Sequence, residues 1–195
     1  MGVNKRKHAG FTLVELILGI VVLAISLTII TGLLAPQARQ SADPVVQIRA
    51  TALGQALMNE ILAKSFDQRS QRNSPWIRCG EQAIVCTEPV SLGPDCIDAT
   101  QAAPACSGSS LESRTTFNDV DDYHNLTLNS DAEFAAFFNL PADYYTGFNL
   151  SVSVIYDDNY DNTGSSSDKT AKLITIDVQA SNDELYRFSA YRGNY

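Results

Sequence analysis

One long apolar segment near the N-terminus constrains this chain more than any other feature. It runs from Phe11 to Ala35, 25 residues that include a single charged residue, Glu15. At ~1.5 Å of rise per residue an α-helix of this length spans about 37 Å, enough to cross a lipid bilayer with some tilt. The segment therefore predicts a membrane-spanning helix.

The polar residues within this segment differ in what they cost in a membrane. The hydroxyls of Thr12, Ser26, Thr28 and Thr31 can bond to a carbonyl of the preceding helical turn. The carboxylate of Glu15 has no such local solution, and a charge at membrane depth costs roughly 3 kcal/mol on insertion scales. Glu15 therefore needs a specific explanation.

Two general explanations of the segment fit only in part. A secretory signal peptide has an apolar core of about 7–15 residues followed by a small-residue cleavage site, and no such site follows Ala35. A plain signal anchor fits the length, and the basic flank of Lys5, Arg6 and Lys7 would stay in the cytoplasm under the positive-inside rule. The signal anchor leaves Glu15 unexplained.

A third explanation comes from the short motif that opens the segment. The sequence Gly10-Phe11-Thr12-Leu13-Val14-Glu15 after a short basic leader resembles the processing site of type IV prepilins and type II secretion pseudopilins. The resemblance implies that a prepilin peptidase cuts between Gly10 and Phe11 and methylates Phe11. It also implies that Glu15 pairs with the new N-terminal amine of a neighbouring subunit when helices pack into a filament. The partners it implies are other pilin subunits, the peptidase, an inner-membrane assembly platform and, before assembly, membrane lipid.

The charge of the chain is strongly acidic. The formal net charge is -8, and removal of a leader ending at Gly10 leaves 11 basic against 22 acidic residues, a net charge of -11. This balance argues against nucleic-acid binding. Between Asp95 and Asp168 thirteen acidic residues face one basic residue, Arg114, which suits a solvated extracellular surface or a cation site.

Four cysteines lie together in the middle of the sequence: Cys79, Cys86, Cys96 and Cys106. An even number of cysteines outside an inner membrane predicts two disulfides. Their spacing does not fit a zinc site. The connectivity does not follow from the sequence, and pairing between neighbours, Cys79 with Cys86 and Cys96 with Cys106, is preferred.

Helical and irregular segments follow the apolar run. Gly32, Pro36 and Pro44 predict a kink or local melting of the first helix. Apolar residues then recur every three or four positions from Val46 to Ile61, which predicts an amphipathic helix ending at about Lys64. Residues 65–113 are rich in Ser, Gly, Pro and Ala and predict a long irregular segment held by the disulfides.

Three strands are predicted in the last third of the chain. Residues 148–156 alternate apolar and polar side chains with a period of two, and residues 173–178 and 185–191 flank a turn at Ser181-Asn182-Asp183. The resulting fold class is α+β and pilin-like. A long N-terminal helix packs through its C-terminal half on an antiparallel sheet of at least three strands. The predicted divisions are a leader at 1–10, a membrane or filament-core helix at 11–35, an amphipathic helix at 36–65 and a globular head at 66–195.

Two further stretches carry a narrower resemblance. The sequence from Arg114 to Leu126 and the C-terminal Tyr191-Arg192-Gly193-Asn194-Tyr195 resemble minor pilins of the mannose-sensitive haemagglutinin pilus. This implies a minor pilin that contributes to pilus assembly or adhesion, held in the inner membrane with its head in the periplasm and later in an extracellular pilus. Two alternatives stay open: a minor pseudopilin of a type II secretion system, and a single-pass anchored binding protein that never polymerises.

Acidic residues in two places suggest a cation site. Asp157, Asn159, Asp161 and Asp168 have the 1, 3, 5, 12 spacing of a calcium-binding loop, but Asn162 replaces the usual glycine and the last ligand is Asp instead of Glu. The alternative is a solvated acidic turn. Asp119, Asp121 and Asp122 could contribute to the same or to another site.

For catalysis, His124 is the only histidine after the leader, and no nucleophile or phosphate-binding motif is present, so the sequence does not predict an enzyme.

Overall fold

The computed structural model describes residue 10 and residues 12–40, 43–70, 77–97, 110–164 and 169–195, with the backbone alone for residues 33–40 and 43. The chain divides into two compact units, Met1–Val45 and Val46–Tyr195.

The first unit is built on helix α1, Leu13–Gln40. The Oγ1 atom of Thr12 accepts the N–H of Glu15 at 3.3 Å and so caps the start of the helix. The hydroxyls of Ser26, Thr28 and Thr31 each donate to the carbonyl four residues earlier at 2.8 Å, which confirms the hydrogen bonds to the preceding turn that were expected for them. The part of α1 from Leu13 to Gly32 is long and apolar enough to cross a membrane.

The expected interruption of the helix falls later than Gly32. Helix α1 continues through Gly32 and Pro36 to Gln40, and helix α2, Asp43–Leu62, begins just before Pro44. Proline is tolerated in the first turn of a helix, where its missing N–H would have no partner within the helix. Of the three predicted breakers, Pro44 is therefore the one that lies at a helix boundary.

The second unit packs α2 onto a sheet. Ala50, Leu53, Leu57 and Ile61 of α2 are buried at intervals of three or four residues, which confirms the predicted amphipathic helix. The sheet has four antiparallel strands in sequence order: β1 (Thr127–Leu128), β2 (Asn149–Tyr156), β3 (Ala171–Gln179) and β4 (Leu185–Gly193). The sequence predicted three of these strands, each within two residues of the observed bounds.

The register of the sheet places one row of side chains toward the core. Val152 of β2 pairs with Ile176 of β3, which pairs with Phe188 of β4. A Cβ atom added to Gly54 of α2 would lie 2.3 Å from a ring carbon of Phe188. The helix therefore approaches β4 so closely that a side chain at position 54 would displace the Phe188 ring.

A short helix between β1 and β2 was missed by the sequence analysis. Helix α3, Asp131–Phe138, begins with a capping box in which Ser130 and Glu133 satisfy each other's backbone N–H groups. It ends at Asn139 in the left-handed conformation, with φ of 54°. The Ser-x-x-Glu spacing in front of an apolar stretch was the sequence signal for this helix.

The cysteine-rich segment joins the fold through a small second core. Cys79 and Cys86, the neighbour pairing preferred from the sequence, form a disulfide that packs with Phe66 and Tyr156. Cys96 is also disulfide-bonded, whereas Cys106 lies outside the described residues, so the Cys96–Cys106 pairing stays a prediction. In the described parts of residues 65–113, the regular structure consists of short 3₁₀ turns, such as Pro89–Ser91, and isolated bridges, such as that between Cys96 and Leu111. The α+β class is as expected.

Candidate functional site

The predicted processing segment, residues 10–15, lies at the N-terminal end of α1. Gly10 and Glu15 are exposed, and Phe11 lies outside the described residues. Glu15 is in the first turn of the helix, where the helix dipole favours a negative charge. The segment thus presents a carboxylate and an apolar helix surface, with Leu13 76% and Leu18 62% exposed.

The proposed calcium loop is held by hydrogen bonds of its own. Asp157 is buried, and its carboxylate accepts the N–H of Asp161 at 3.2 Å, the N–H of Asn162 at 2.9 Å and the O–H of Tyr191 at 2.6 Å. Asn162 adopts the left-handed conformation, with φ of 63°, at the place where glycine is usual in a calcium loop.

The remaining predicted ligands of that loop are exposed or undescribed. The Asn159 amide donates to Asp161 Oδ2 at 2.7 Å, and Asp161 Oδ1 accepts the N–H of Thr163 at 2.8 Å. Asp168 lies outside the described residues. A cation at this loop would have to replace these hydrogen bonds, and calcium binding by Asp157, Asn159, Asp161 and Asp168 stays a prediction.

A second group of acidic residues lies at one end of the sheet, and the sequence analysis identified only half of it. Six carboxyl groups gather there, five of them buried and Glu112 partly buried: Asp67, Asp95, Glu112, Asp119, Asp121 and Asp122. Asp121 and Asp122 lie in a 3₁₀ turn, Asp121–Tyr123, which contacts β2. We call these six residues the acidic cluster.

One lysine enters the acidic cluster from the sheet. Lys172 of β3 is fully buried, and its Nζ atom lies 2.5 Å from Asp121 Oδ1 and 3.9 Å from Asp67 Oδ2. The same ammonium group donates to the carbonyl of Phe66 at 2.6 Å and lies over the rings of Phe66 and Tyr156, at 4.3 and 4.9 Å from their centroids. The lysine is therefore held by charge, by a hydrogen bond and by two aromatic faces.

Burial raises the pKa of several carboxyl groups in the acidic cluster. Desolvation is the largest cause in each case, and neighbouring carboxylates add to it, because a charge that leaves water close to a like charge is doubly disfavoured. The pKa of Asp95 rises to about 6, that of Glu112 to about 7 and that of Asp119 to about 9. The pKa of Asp121 rises to about 7 even though Lys172 opposes the shift.

Some oxygens of the acidic cluster are satisfied by the backbone and others are not. Asp122 Oδ2 accepts the N–H groups of Asn118 and Asp119, at 2.7 and 3.0 Å, and Asp67 accepts the N–H of Thr87 at 2.7 Å. Among the described residues of the acidic cluster, four carboxylate oxygens accept no hydrogen bond: Glu112 Oε2, Asp119 Oδ2, Asp121 Oδ2 and Asp122 Oδ1. Such oxygens are rare in folded proteins and call for an explanation.

His124, the one histidine in the second unit, has a structural contact. It is half-buried, and its Nδ1 atom accepts the N–H of Val154 at 3.1 Å. Burial lowers its pKa, which suits a neutral imidazole in this position. The side chain thus satisfies a backbone donor of β2.

Comparisons with known proteins bear on the N-terminus. The family model of the prokaryotic N-terminal methylation motif matches residues 5–31. Neither the curated proteins nor the solved structures include a match to this chain. The matched residues include the basic leader, Gly10, Phe11 and Glu15, together with most of the membrane-length helix. The match supports a prepilin-like protein of the type IV pilin and pseudopilin class and implies processing by a prepilin peptidase.

Proposed function

We propose that this chain is a minor type IV pilin, a structural subunit that is cleaved between Gly10 and Phe11, methylated on Phe11 and incorporated into a pilus. The observation that carries the proposal is the methylation motif at residues 5–31. The proposed cleavage point precedes the apolar helix, so the helix is retained in the mature protein and is available for assembly. The narrower assignment to the mannose-sensitive haemagglutinin pilus rests on the resemblance of residues 114–126 and 191–195.

The exposed apolar surface of α1 suits a helix that moves from the membrane into a filament during assembly. Leu13, Leu16 and Leu18 are 76%, 56% and 62% exposed and would be covered by lipid in the inner membrane. In a filament the same side chains would be covered by the helices of neighbouring subunits. Lipid tails are as apolar as these side chains, so the move from membrane to filament gains little hydrophobic free energy, and close packing between the helices has to favour the filament.

Glu15 gives this assembly its register. An unpaired carboxylate in a helix bundle is unfavourable, whereas a carboxylate next to the N-terminal amine of a neighbouring subunit forms a buried ion pair. A shift of one helix against the next separates the two charges. Glu15 and the amine of Phe11 would therefore select one alignment of the subunits.

The first test is the N-terminus of the protein extracted from membranes. We expect Edman sequencing and mass spectrometry to find N-methylated Phe11 at the start of the mature chain. A Gly10→Leu variant should keep its leader, and a Gly19→Leu variant should be processed normally because Gly19 lies outside the cleavage site. A wild-type chain that still begins at Met1 in a strain with an active prepilin peptidase would overturn the proposal.

The second test separates a pilin from the two alternatives. In a deletion strain, loss of pili with normal protein secretion supports a minor pilin, and loss of exoprotein secretion with normal pili supports a minor pseudopilin. A Glu15→Ala variant should be anchored in the membrane but fail to enter fibres. Unchanged function of that variant would favour an anchored binding protein that never polymerises. In this proposal the head faces the periplasm before assembly and the extracellular space afterwards, where it contributes to assembly or adhesion.

A further inference from the structure

Three side chains of the acidic cluster have the arrangement of a cation site. One carboxylate oxygen from each of Asp95, Glu112 and Asp122 lies within 4.8 Å of the oxygens of the other two. Oxygens that bind one calcium ion at about 2.3–2.6 Å lie a few ångströms from one another, as these do. We propose that Asp95, Glu112 and Asp122 bind a hard divalent cation of the calcium type.

The unpartnered oxygens point to the ligand independently of the spacing. Asp122 is only 1% exposed, and while its Oδ2 atom accepts two backbone N–H groups, its Oδ1 atom has no partner among the described residues. The Oε2 atom of Glu112 is likewise buried and without a partner in the described part of the chain. The Glu112 carboxyl group, when protonated, hydrogen-bonds to Asp122, so a proton joins these two groups in the metal-free protein. A cation between the residues would replace that proton and contact both oxygens at once.

The ionisable side chains around these three residues are mostly acidic. Besides Asp95, Glu112 and Asp122, the charged side chains that interact in this region are three further carboxylates and two cations: Asp67, Asp119, Asp121, Lys172 and Arg69. Lys172 is engaged by Asp121 and Asp67 and so does not neutralise the proposed site. A divalent cation would offset two of the remaining negative charges.

The chain brings the three ligands together from two segments. Asp95 and Glu112 flank the isolated bridge between Cys96 and Leu111, and the N–H of Glu112 donates to the carbonyl of Asp95 at 2.8 Å. Asp122 lies in the 3₁₀ turn Asp121–Tyr123, which contacts β2. A cation at this place would join the cysteine-rich segment to the core of the head.

The ligand chemistry narrows the choice of ion. All three side chains offer carboxylate oxygens, the ligands of hard cations such as calcium and magnesium, and zinc or copper would favour sulfur or imidazole donors. Calcium accepts irregular oxygen sites, whereas magnesium demands a nearly ideal octahedron and keeps several waters. Calcium is therefore the probe of choice.

The experiment measures calcium binding by the full chain in detergent after removal of metal with EDTA and exchange into metal-free buffer. Isothermal titration calorimetry with calcium chloride is expected to give a dissociation constant of about 10⁻⁵–10⁻³ M, with magnesium titrated in parallel. Glu112→Gln and Asp95→Asn should each weaken binding at least about tenfold, as expected when a charged ligand is lost. Glu112→Gln keeps an oxygen that can accept the Asn118 amide, so the variant should fold.

Two matched variants remove one carboxylate charge elsewhere. Asp143→Asn changes an exposed residue on another part of the head, and Asp161→Asn changes the separate calcium loop predicted from the sequence. Both should bind calcium as the wild type does. The proposal is wrong if the wild type binds neither calcium nor magnesium at about 5 mM, if both ligand variants bind within twofold of the wild type, or if Asp161→Asn abolishes binding.

Discussion

Two lysines three positions apart test how strongly burial increases the contribution of an ion pair to the stability of the head. Lys172 is fully buried against Asp121, at 2.5 Å, and Lys169 forms an ion pair with the exposed Glu88 at 2.7 Å. The two contacts have similar lengths, so they differ mainly in solvent exposure. Replacing each lysine by methionine keeps most of the length of the side chain and removes the ammonium group with its hydrogen bonds.

The expected losses of stability differ severalfold. Lys172→Met leaves a buried carboxylate without its partner, and removing one member of a buried pair costs roughly 3–5 kcal/mol. Lys169→Met breaks a pair whose Glu88 side chain is 58% exposed, and such pairs contribute about 0–1 kcal/mol. For a unit of this size a loss of 3–5 kcal/mol lowers the melting temperature by roughly 6–20 °C.

The assay is urea unfolding of the full chain in detergent with EDTA, followed by near-UV circular dichroism. Helix α1 contains no aromatic residue, so the aromatic signal reports on the head. At pH 8 we expect a clear loss for Lys172→Met and almost none for Lys169→Met. Near pH 5 the Lys172→Met loss should shrink, because Asp121 can then take up a proton in place of its lost partner.

Losses in the two variants that agree within about 0.5 kcal/mol at pH 8 would refute this reasoning, because the exposed pair should contribute at most about 1 kcal/mol and the buried pair at least about 3 kcal/mol. A control variant, Tyr156→Phe, retains the aromatic face over Lys172 but removes the hydroxyl that donates to the carbonyl of Thr87 at 2.8 Å. It should lose about 1 kcal/mol, the usual contribution of one hydrogen bond, at both pH values.

Three further predictions concern charge and assembly. In EDTA, thermal melts should show that the head becomes less stable as pH rises from about 4 to about 8. Folding raises the pKa of Asp95 to about 6 and that of Glu112 to about 7, so the folded state loses its extra bound protons over that interval. A stability that rises with pH would contradict this prediction. Arg114→Lys should lower the free energy of unfolding by roughly 1–2 kcal/mol in urea melts, because lysine cannot reproduce the paired hydrogen bonds to Glu60 at 3.0 and 2.6 Å. An unchanged urea midpoint would show that these paired hydrogen bonds do not stabilise the head. Glu15→Gln keeps the size of the side chain and should reduce incorporation into fibres as strongly as Glu15→Ala, as measured by immunoblotting of sheared pili. Normal incorporation would mean that Glu15 acts only by stabilising the first turn of α1.

Local patterns in the sequence accounted for most of the fold. Strand β2 was predicted because its apolar residues alternate with Ser151 and Ser153, and α2 because Ala50 to Ile61 repeat at helical spacing. Helix α3 was missed although Ser130 and Glu133 have capping-box spacing, since its eight residues lie within an acidic stretch that indicated solvent exposure. Strand β1 has two residues and no periodicity of its own, so only its pairing with β2 defines it.

The acidic cluster was predicted only in part for a different reason. Asp119, Asp121 and Asp122 were recognised as possible ligands, but Asp67 and Asp95 lie in the segment that the sequence indicated to be an irregular loop. One signal was available for Lys172: it shares the core-facing side of β3 with Ile174 and Ile176, two and four residues later. A charged residue at such a position indicates a buried partner.

By itself the sequence determined the N-terminal part of this protein. A run of apolar residues long enough to span a membrane needs no distant partner to be recognised, and Gly10, Phe11 and Glu15 define a processing motif by local spacing alone. Only the tertiary structure decided which acidic residues leave water. Burial depends on contacts between segments distant in sequence, and an aspartate beside a buried lysine has the same local pattern as one in a solvated turn.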